Sequence, residues 1–292
     1  MSTRTPTDAV VVGIDGSSQA WPALDIAADE ATRLGKPLEI VHAYAFPAIY
    51  AAPVLIADAS VENDLVTQAQ SLLRDAAKRV ADRFPDLPVT TEVVADHPAQ
   101  ALIAASKGAS VLVLGSRGLG GFKGLIVGSV TMQVSARAHA PVLVVPADSA
   151  KILGPVIVGI DGSDAAETAL GRAYAHAQSR QSTLVVVHAW NASQSDFPWD
   201  PVGAGSEHEH VQQVKERAVS EALAGWQDTY PDVKVERRVV RDHPANALLN
   251  EANLESLIVV GSRGRGGFRG LLLGSISQSV LHHASCAVEI VH

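Results

Sequence analysis

Six glycines and two basic residues fall within GSRGLGGFKGLIVGS, residues 115–129, between an apolar run and a segment of helical spacing. Glycine at that density bares backbone N–H groups. Arg117 and Lys123 add positive charge to an otherwise acidic chain. The chemistry these residues suit is the holding of an anion. A helix start just beyond the loop offers unpaired N–H groups and the positive end of its peptide dipoles. Ser129 contributes a hydroxyl there and is a candidate cap for that helix. The loop returns as GSRGRGGFRGLLLGS, residues 261–275, with Arg263, Arg265 and Arg269 as its cations. Eleven of the fifteen positions are identical. A slack surface loop would have drifted, as segments 46–60 and 191–206 have; this one keeps its glycines in register. The reading is a phosphate cradle.

Two familiar phosphate motifs are excluded. Lys123 is followed by Gly124 rather than Ser or Thr, so G-x-x-x-x-G-K-[ST] is absent. G-x-G-x-x-G is also absent, and the loop follows the fourth apolar run rather than the first.

The elements that must position this loop are themselves repeated. VVVGIDGS at 10–17 returns as VIVGIDGS at 156–163, VHA at 41–43 returns at 187–189, and DHPA at 96–99 returns at 242–245. Every pair is 146 positions apart, far longer than a solenoid period, so the repeated unit is a whole domain. The expected domains are residues 1–147 and 154–292. In the first copy, short Val-rich runs predict strands near 9–15, 37–44, 89–95, 110–115 and 141–145. Trp21, Leu24, Ala28, Ala31 and Leu34 share one helical face. Leu65, Leu72, Leu73, Ala76 and Val80 share another, matched in the second copy by Val211, Val214, Ala218, Ala222 and Trp226. Pro98 suits a first helical position, with Asp96 or His97 capping. Alternating strands and helices imply an α/β class: two tandem, doubly wound domains with parallel sheets and helices on both faces. Ligands of such sheets sit at the carboxyl ends of the strands, where the strand order reverses.

Composition narrows the function. The 292 residues are 47% apolar and 4% aromatic, with a net charge of −8. That balance disfavours a broad nucleic-acid surface. No run has the length of a membrane span. One cysteine suits a reducing compartment, and the start MSTRTPTDAVVVGID lacks a signal-like apolar region. A cytoplasmic protein with no membrane or nucleic-acid partner is expected.

With VGIDGS opening each half, VHA closing the second strand and the G-x2-G-x9-G-S spacing, the chain resembles a tandem universal stress protein of the ATP-binding, actinobacterial kind. The resemblance covers nearly all of both halves. It implies five-stranded sheets of order 3-2-1-4-5 and one ATP per domain, with Mg2+. It implies that Asp15 and Asp161 meet the ribose or metal–phosphate region, and that the backbone of Gly13–Ile14 and Gly159–Ile160, with Ala43 and Ala189, lines the adenine pocket. Ribose and phosphates would lie on Gly115, Gly118, Gly128, Ser129 and Val130, and on Gly261, Gly264, Gly274, Ser275 and Ile276. It further implies a homodimer, an unknown protein partner, and a regulatory role in stress response or growth control. In this family the last strand often pairs with a partner's. Here APVLVVP becomes CAVEIVH, with Glu289 where Leu143 stands, and a charge on an edge strand discourages such pairing.

Enzymatic turnover is not expected. Asp15 recurs at a strand end, but no second acid or dedicated lysine accompanies it to position a nucleophile and clamp a γ-phosphate. The adenylate-forming signatures SGGxDS and HxGH are absent. Slow ATP hydrolysis or self-phosphorylation stays open, as does a phosphate- or RNA-binding module suggested by RGRGGFRG at 263–270. His42 and His188 read as hydrogen-bonded structural histidines, and His97 and His243 as helix-start residues. EHEH at 207–210 and HH at 282–283 read as helix ends without metal-ligand spacing. Cys286 reads as a small core residue. FPAIYAAP at 46–53 and DFPWDP at 196–201 read as connectors or pocket covers.

Overall fold

The computed structural model describes residues 8–45, 59–119, 127–149, 151–190, 204–265 and 273–292; for 59–62 and 204–209 it describes the backbone alone. The chain divides into two units, Met1–Lys151 and Ile152–Val291.

In the first unit the order is β1 (Val10–Gly13), α1 (Ala20–Leu34), β2 (Leu38–Tyr44), α2 (Ala59–Arg83), β3 (Val89–Ala95), α3 (Pro98–Ala105), β4 (Val111–Gly115), α4 (Ser129–Arg137) and β5 (Val142–Val145). Its strands lie in the order β3-β2-β1-β4-β5, and every neighbouring pair is parallel. The second unit runs β6 (Val156–Gly159), α5 (Asp164–Arg180), β7 (Leu184–Ala189), α6 (Ala204–Thr229), β8 (Val235–Val240), α7 (Pro244–Asn250), β9 (Leu257–Gly261), α8 (Ser275–His283) and β10 (Ala287–Val291). Its strand order, β8-β7-β6-β9-β10, is the same topology.

The central strands explain themselves. Val10, Val11 and Val12 are covered on both faces, as are Leu112 and Val113 beside them. β1 pairs with β2 on one side and β4 on the other, from the same residue Val10. The chain therefore leaves β1 in one direction across the sheet and returns past it in the other. With right-handed crossovers, that reversal puts α1 and α2 on one face and α3 and α4 on the opposite face; α1 packs on α2, and α3 on α4. The ends of β1 and β4, at the reversal, make the crevice.

Helix α1 sits close to the sheet because its contact face is alanine: Ala23, Ala27, Ala28 and Ala31 are fully buried around Leu24. The buried stripe is wider than the sequence spacing suggests, and Leu34, placed on it by periodicity, is 41% exposed. Gly35 ends the helix in the left-handed conformation, its N–H returning to Ala31 and Thr32 carbonyls. The face expected for α6 is also corrected. Val214 is 52% exposed, Ala218 and Ala222 are exposed, and Val219 and Leu223 are the buried residues. The true stripe continues through Trp226 to Tyr230, whose rings stack with the buried Tyr174 of α5. Large aromatic area outweighed the smaller alanines in setting how the helix is turned.

Glu289 does not stand at the sheet's open side. Its side chain is fully buried under α5, bonded by Arg172 and by His176 Nε2. Side chains alternate across a strand, so the Glu289 carboxylate addresses a sheet face beneath α5 rather than the strand's main-chain edge.

Candidate functional site

Each crevice is built from two tethered loops. After β1, Ile14 leaves the ladder while its N–H still reaches the Val41 carbonyl (3.0 Å), which turns Asp15 toward β4. Asp15 Oδ1 then accepts the Ser17 N–H (3.0 Å), and Oδ2 accepts the Leu119 N–H (2.7 Å) from the glycine loop. Asp161 repeats this with Ser163 N–H (2.9 Å) and Arg265 N–H (3.0 Å). The aspartates are thus clasps between two loops. Burial by itself would raise the Asp161 carboxyl, but the Ser163 and Arg265 hydrogen bonds and the Arg265 charge outweigh it and hold it below the usual carboxylate range.

This clasp explains the glycines differently from the sequence reading. A Cβ on Gly118 would lie 2.3 Å from Asp15 Oδ2, and one on Gly264 2.5 Å from Asp161 Oδ2. A Cβ on Gly115 would press on the Gln19 carbonyl at 3.1 Å, and one on Gly261 on Ala165 at 2.9 Å. These side chains are missing so that the protein's own loops can close on one another. Neither Gly115 nor Gly118 has a positive φ.

The loop's far end is closed just as tightly. Gly128 N–H donates to the Ser116 carbonyl (2.7 Å), and Gly274 N–H to that of Ser262 (2.7 Å). Thr131 Oγ1 donates to the Gly115 carbonyl (2.8 Å), while Ser277 Oγ donates to the Ser262 carbonyl (3.1 Å). Sequence reasoning missed this pair, although a hydroxyl residue two places after each G-S was the available signal. Ser129 is not the cap of α4. Gly128 holds the N-cap position, Ser129 is the first helical residue, and neither α4 nor α8 has a side-chain cap. Helix α5 differs, with Ser163 Oγ accepting from Ala166 N–H (3.2 Å). His97 holds the N-cap position of α3 without a side-chain cap bond; Asp96 Oδ1 takes the His97 N–H (2.6 Å), and Pro98 opens the helix.

Between these loops the first unit holds a cavity of about 610 Å³, and the second one of about 440 Å³, both within the range of small-molecule sites. Gly13, Ile14, Asp15, Ala43, Gly115, Gly118, Gly128, Ser129 and Val130 all line the first. Gly159, Ile160, Asp161, Ala189, Gly261, Gly264, Gly274, Ser275 and Ile276 all line the second. Each floor is apolar, with Val41 and Leu102 in one and Val187 and Leu248 in the other. Leu102 and Leu248 come from the helices opened by the repeated DHPA, a contribution not read from sequence. Arg117 supplies positive charge to the first cavity, and Arg263 and Arg265 to the second. Arg117 Nε is buried with no hydrogen-bond partner among the described residues, a donor left over beside the uncapped start of α4. Lys123 and Arg269 lie outside the described residues, as do 46–53 and 196–201.

The remaining candidates fall elsewhere. His42 Nδ1 donates to the Ile14 carbonyl (2.8 Å) and His188 Nδ1 to that of Ile160 (2.9 Å), each bracing the loop after the first strand of its unit. His282 and His283 are in the last turn of α8. Residues 207–210 lie within α6. Cys286 is buried.

A doubly wound α/β domain with a glycine-lined cavity at its strand-order reversal, the place where ligands of such sheets bind, is present twice. Residues 6–146 and 153–292 each match the universal stress protein family, and the chain belongs to that family. It is 38% identical to a universal stress protein of Mycolicibacterium smegmatis over 288 residues, covering 97% of this chain and 96% of the relative. A Mycobacterium tuberculosis universal stress protein is 37% identical over 301 residues, with 99% of each chain covered. The crystal structure of a universal stress protein from Archaeoglobus fulgidus DSM 4304 shares the fold, with a TM-score of 0.70 at 19% identity over 98% of both chains. No helix among the described residues is long and apolar enough to cross a membrane.

Proposed function

We propose that the protein is a nucleotide-binding regulatory protein that holds one adenine nucleotide, ATP in the first instance, in each unit. The observation that carries this reading is that the same composite cavity is built twice. An apolar floor suits a base, and uncapped helix starts beside an arginine suit phosphate. The residues present fit ATP: the buried Nε of Arg117, with no hydrogen-bond partner among the described residues, is a donor free for a phosphate oxygen. The starts of α4 and α8, with Arg117 and Arg263, would hold the polyanion that ATP supplies, and the carboxylates of Asp15 and Asp161 would meet any Mg2+ arriving with it.

Regulation is favoured over turnover by what those carboxylates do. Both oxygens of each already accept loop N–H groups, so they are positioned as fasteners rather than as bases for an attacking water. Because the ligand would lie against both clasped loops, occupancy can favour one loop arrangement, which a protein partner or a second copy could read. It does so only to the extent that the two arrangements bind with different affinity.

The test is mass spectrometry of nucleotide released from protein equilibrated with ATP, quantified per chain. About two nucleotides per chain are expected from the two cavities. Gly118→Ala and Gly264→Ala, which drive a Cβ into the clasp, should each remove about one. Failure of both variants to alter the ratio, or absence of bound nucleotide, would sink the reading. Rapid release of ADP would favour hydrolysis instead.

A further inference from the structure

Of the Asp and Arg side chains lining the two cavities, Arg265 alone has an uncharged counterpart, Leu119. The backbone is the same at both places, since each residue donates its N–H to the aspartate clasp. Only the side chain differs. Leu119 is 74% exposed. Arg265 Nη2 donates to the Gly162 carbonyl (2.8 Å), and its guanidinium lies over Gly162, where an added Cβ would stand 2.4 Å away.

Space for that guanidinium comes from the neighbouring helices. In the first unit Leu72 covers the corresponding Gly16, its Cδ2 3.4 Å from the Cβ position. In the second unit Ala218 takes that place, and a recess of about 340 Å³ opens between α5 and α6, with Arg265 on its wall. Glu167 and Lys215 border the recess where the first unit has Trp21 and Ala69. Arg265 borders the main cavity as well. It is therefore an exposed cation at the lip of the site, whose guanidinium makes one hydrogen bond among the described residues, to the Gly162 carbonyl.

We propose that Arg265 makes the second site the one that discriminates by phosphate-chain length, favouring a nucleoside triphosphate over a monophosphate more strongly than the first site does. This rests on the nucleotide reading above. An ionised aspartate beside an incoming polyanion opposes it. A guanidinium on the same loop offsets that repulsion and presents a planar fork to phosphate oxygens. Leu119 does neither. The first site keeps its grip on base and near phosphate, and gains less from each further phosphate.

The experiment is isothermal titration of the full chain with ATP, ADP and AMP, in wild type and in Arg265→Leu, Arg265→Lys and Leu119→Arg. Two classes of site are expected in wild type, with ATP-over-AMP preferences differing roughly tenfold or more, the scale of one charge-assisted contact. Arg265→Leu should abolish the difference while AMP still fills both sites, and Arg265→Lys should keep most of it. Leu119→Arg should raise the weaker class toward the stronger. Equal weakening of ATP, ADP and AMP by Arg265→Leu would mean that the side chain serves only to hold Gly162, and would overturn the proposal. An unchanged ATP-to-AMP ratio would overturn it equally. A wild-type chain that binds none of the three would instead overturn the nucleotide reading itself.

Discussion

Asp15 and Asp161 sit in volume that a side chain at residue 118 or 264 would claim. Two residues far apart in sequence are therefore chosen together: an acceptor with two lone-pair directions, and a position stripped of its Cβ. The spacing G-x2-G was legible as a motif, but its physical cause was not, because nothing local says what will approach a glycine. The role of Cys286 was more accessible, since a lone small residue in an apolar run is most often core. Its burial pushes the thiol up to about 11, so little thiolate exists near neutral pH. A disulfide reagent at pH 8 should leave the folded protein unmodified and titrate one thiol per chain in denaturant. Prompt reaction of the native protein would contradict the burial.

At the scale of elements, period and punctuation located the five strands of the first unit to within two residues, because Val-rich runs between Gly and Pro have few alternatives. What they could not settle was how each long helix turns about its axis. In the first unit α1 and α2 meet through charge: Asp25 takes Arg79 Nη2 at 2.8 Å and Arg83 Nη1 at 3.0 Å. In the second, Gly171 stands where Asp25 does, and Trp226 lies against it. The 3.6-residue pattern is equally present in both, so periodicity alone found Trp226 but assigned Val214, Ala218 and Ala222 to the core in place of Val219 and Leu223. Two glycine substitutions separate the effects. Gly171→Ala would place a Cβ 2.5 Å from the Trp226 ring. Overpacking of about 1–3 kcal/mol should outweigh the gain of up to about 1 kcal/mol in helix propensity. Gly225→Ala, with nothing within 4 Å of the new atom, should be stabilised by about that propensity gain. Urea unfolding midpoints that move down for the first and up for the second are the expected result; the same sign in both would refute this packing.

Across the whole molecule, one topology is carried by two different interiors, and the sharpest case is Glu289. Beneath α5 the buried Glu289 carboxylate is bonded by the half-buried Arg172 and by His176, whereas the first unit has Leu143 and Ile26 where Glu289 and Arg172 stand. A sequence comparison shows the glutamate but not its partners, which lie more than a hundred residues earlier. Removing one member of such a cluster strands the others, whereas replacing the interacting pair by apolar residues can be neutral. Glu289→Leu alone should therefore destabilise the second unit by about 3–5 kcal/mol. Adding Arg172→Ile, which copies the first unit at both places, should recover a large part of that loss. The pH dependence has a definite sign. Burial alone would raise the Glu289 carboxyl, but the charges and hydrogen bonds of His176 and Arg172 prevail and hold it below the ordinary carboxylate range. A depressed folded-state value means that the stabilisation is complete above the unfolded-state value of about 4.3 and drains away as pH falls beneath it. The penalty of Glu289→Leu should accordingly be full near pH 7 and shrink toward pH 3. Chemical denaturation of wild type, single and double variants at both pH values decides the matter, and a penalty that is flat with pH and unrelieved by Arg172→Ile would show that Glu289 acts by volume rather than by charge.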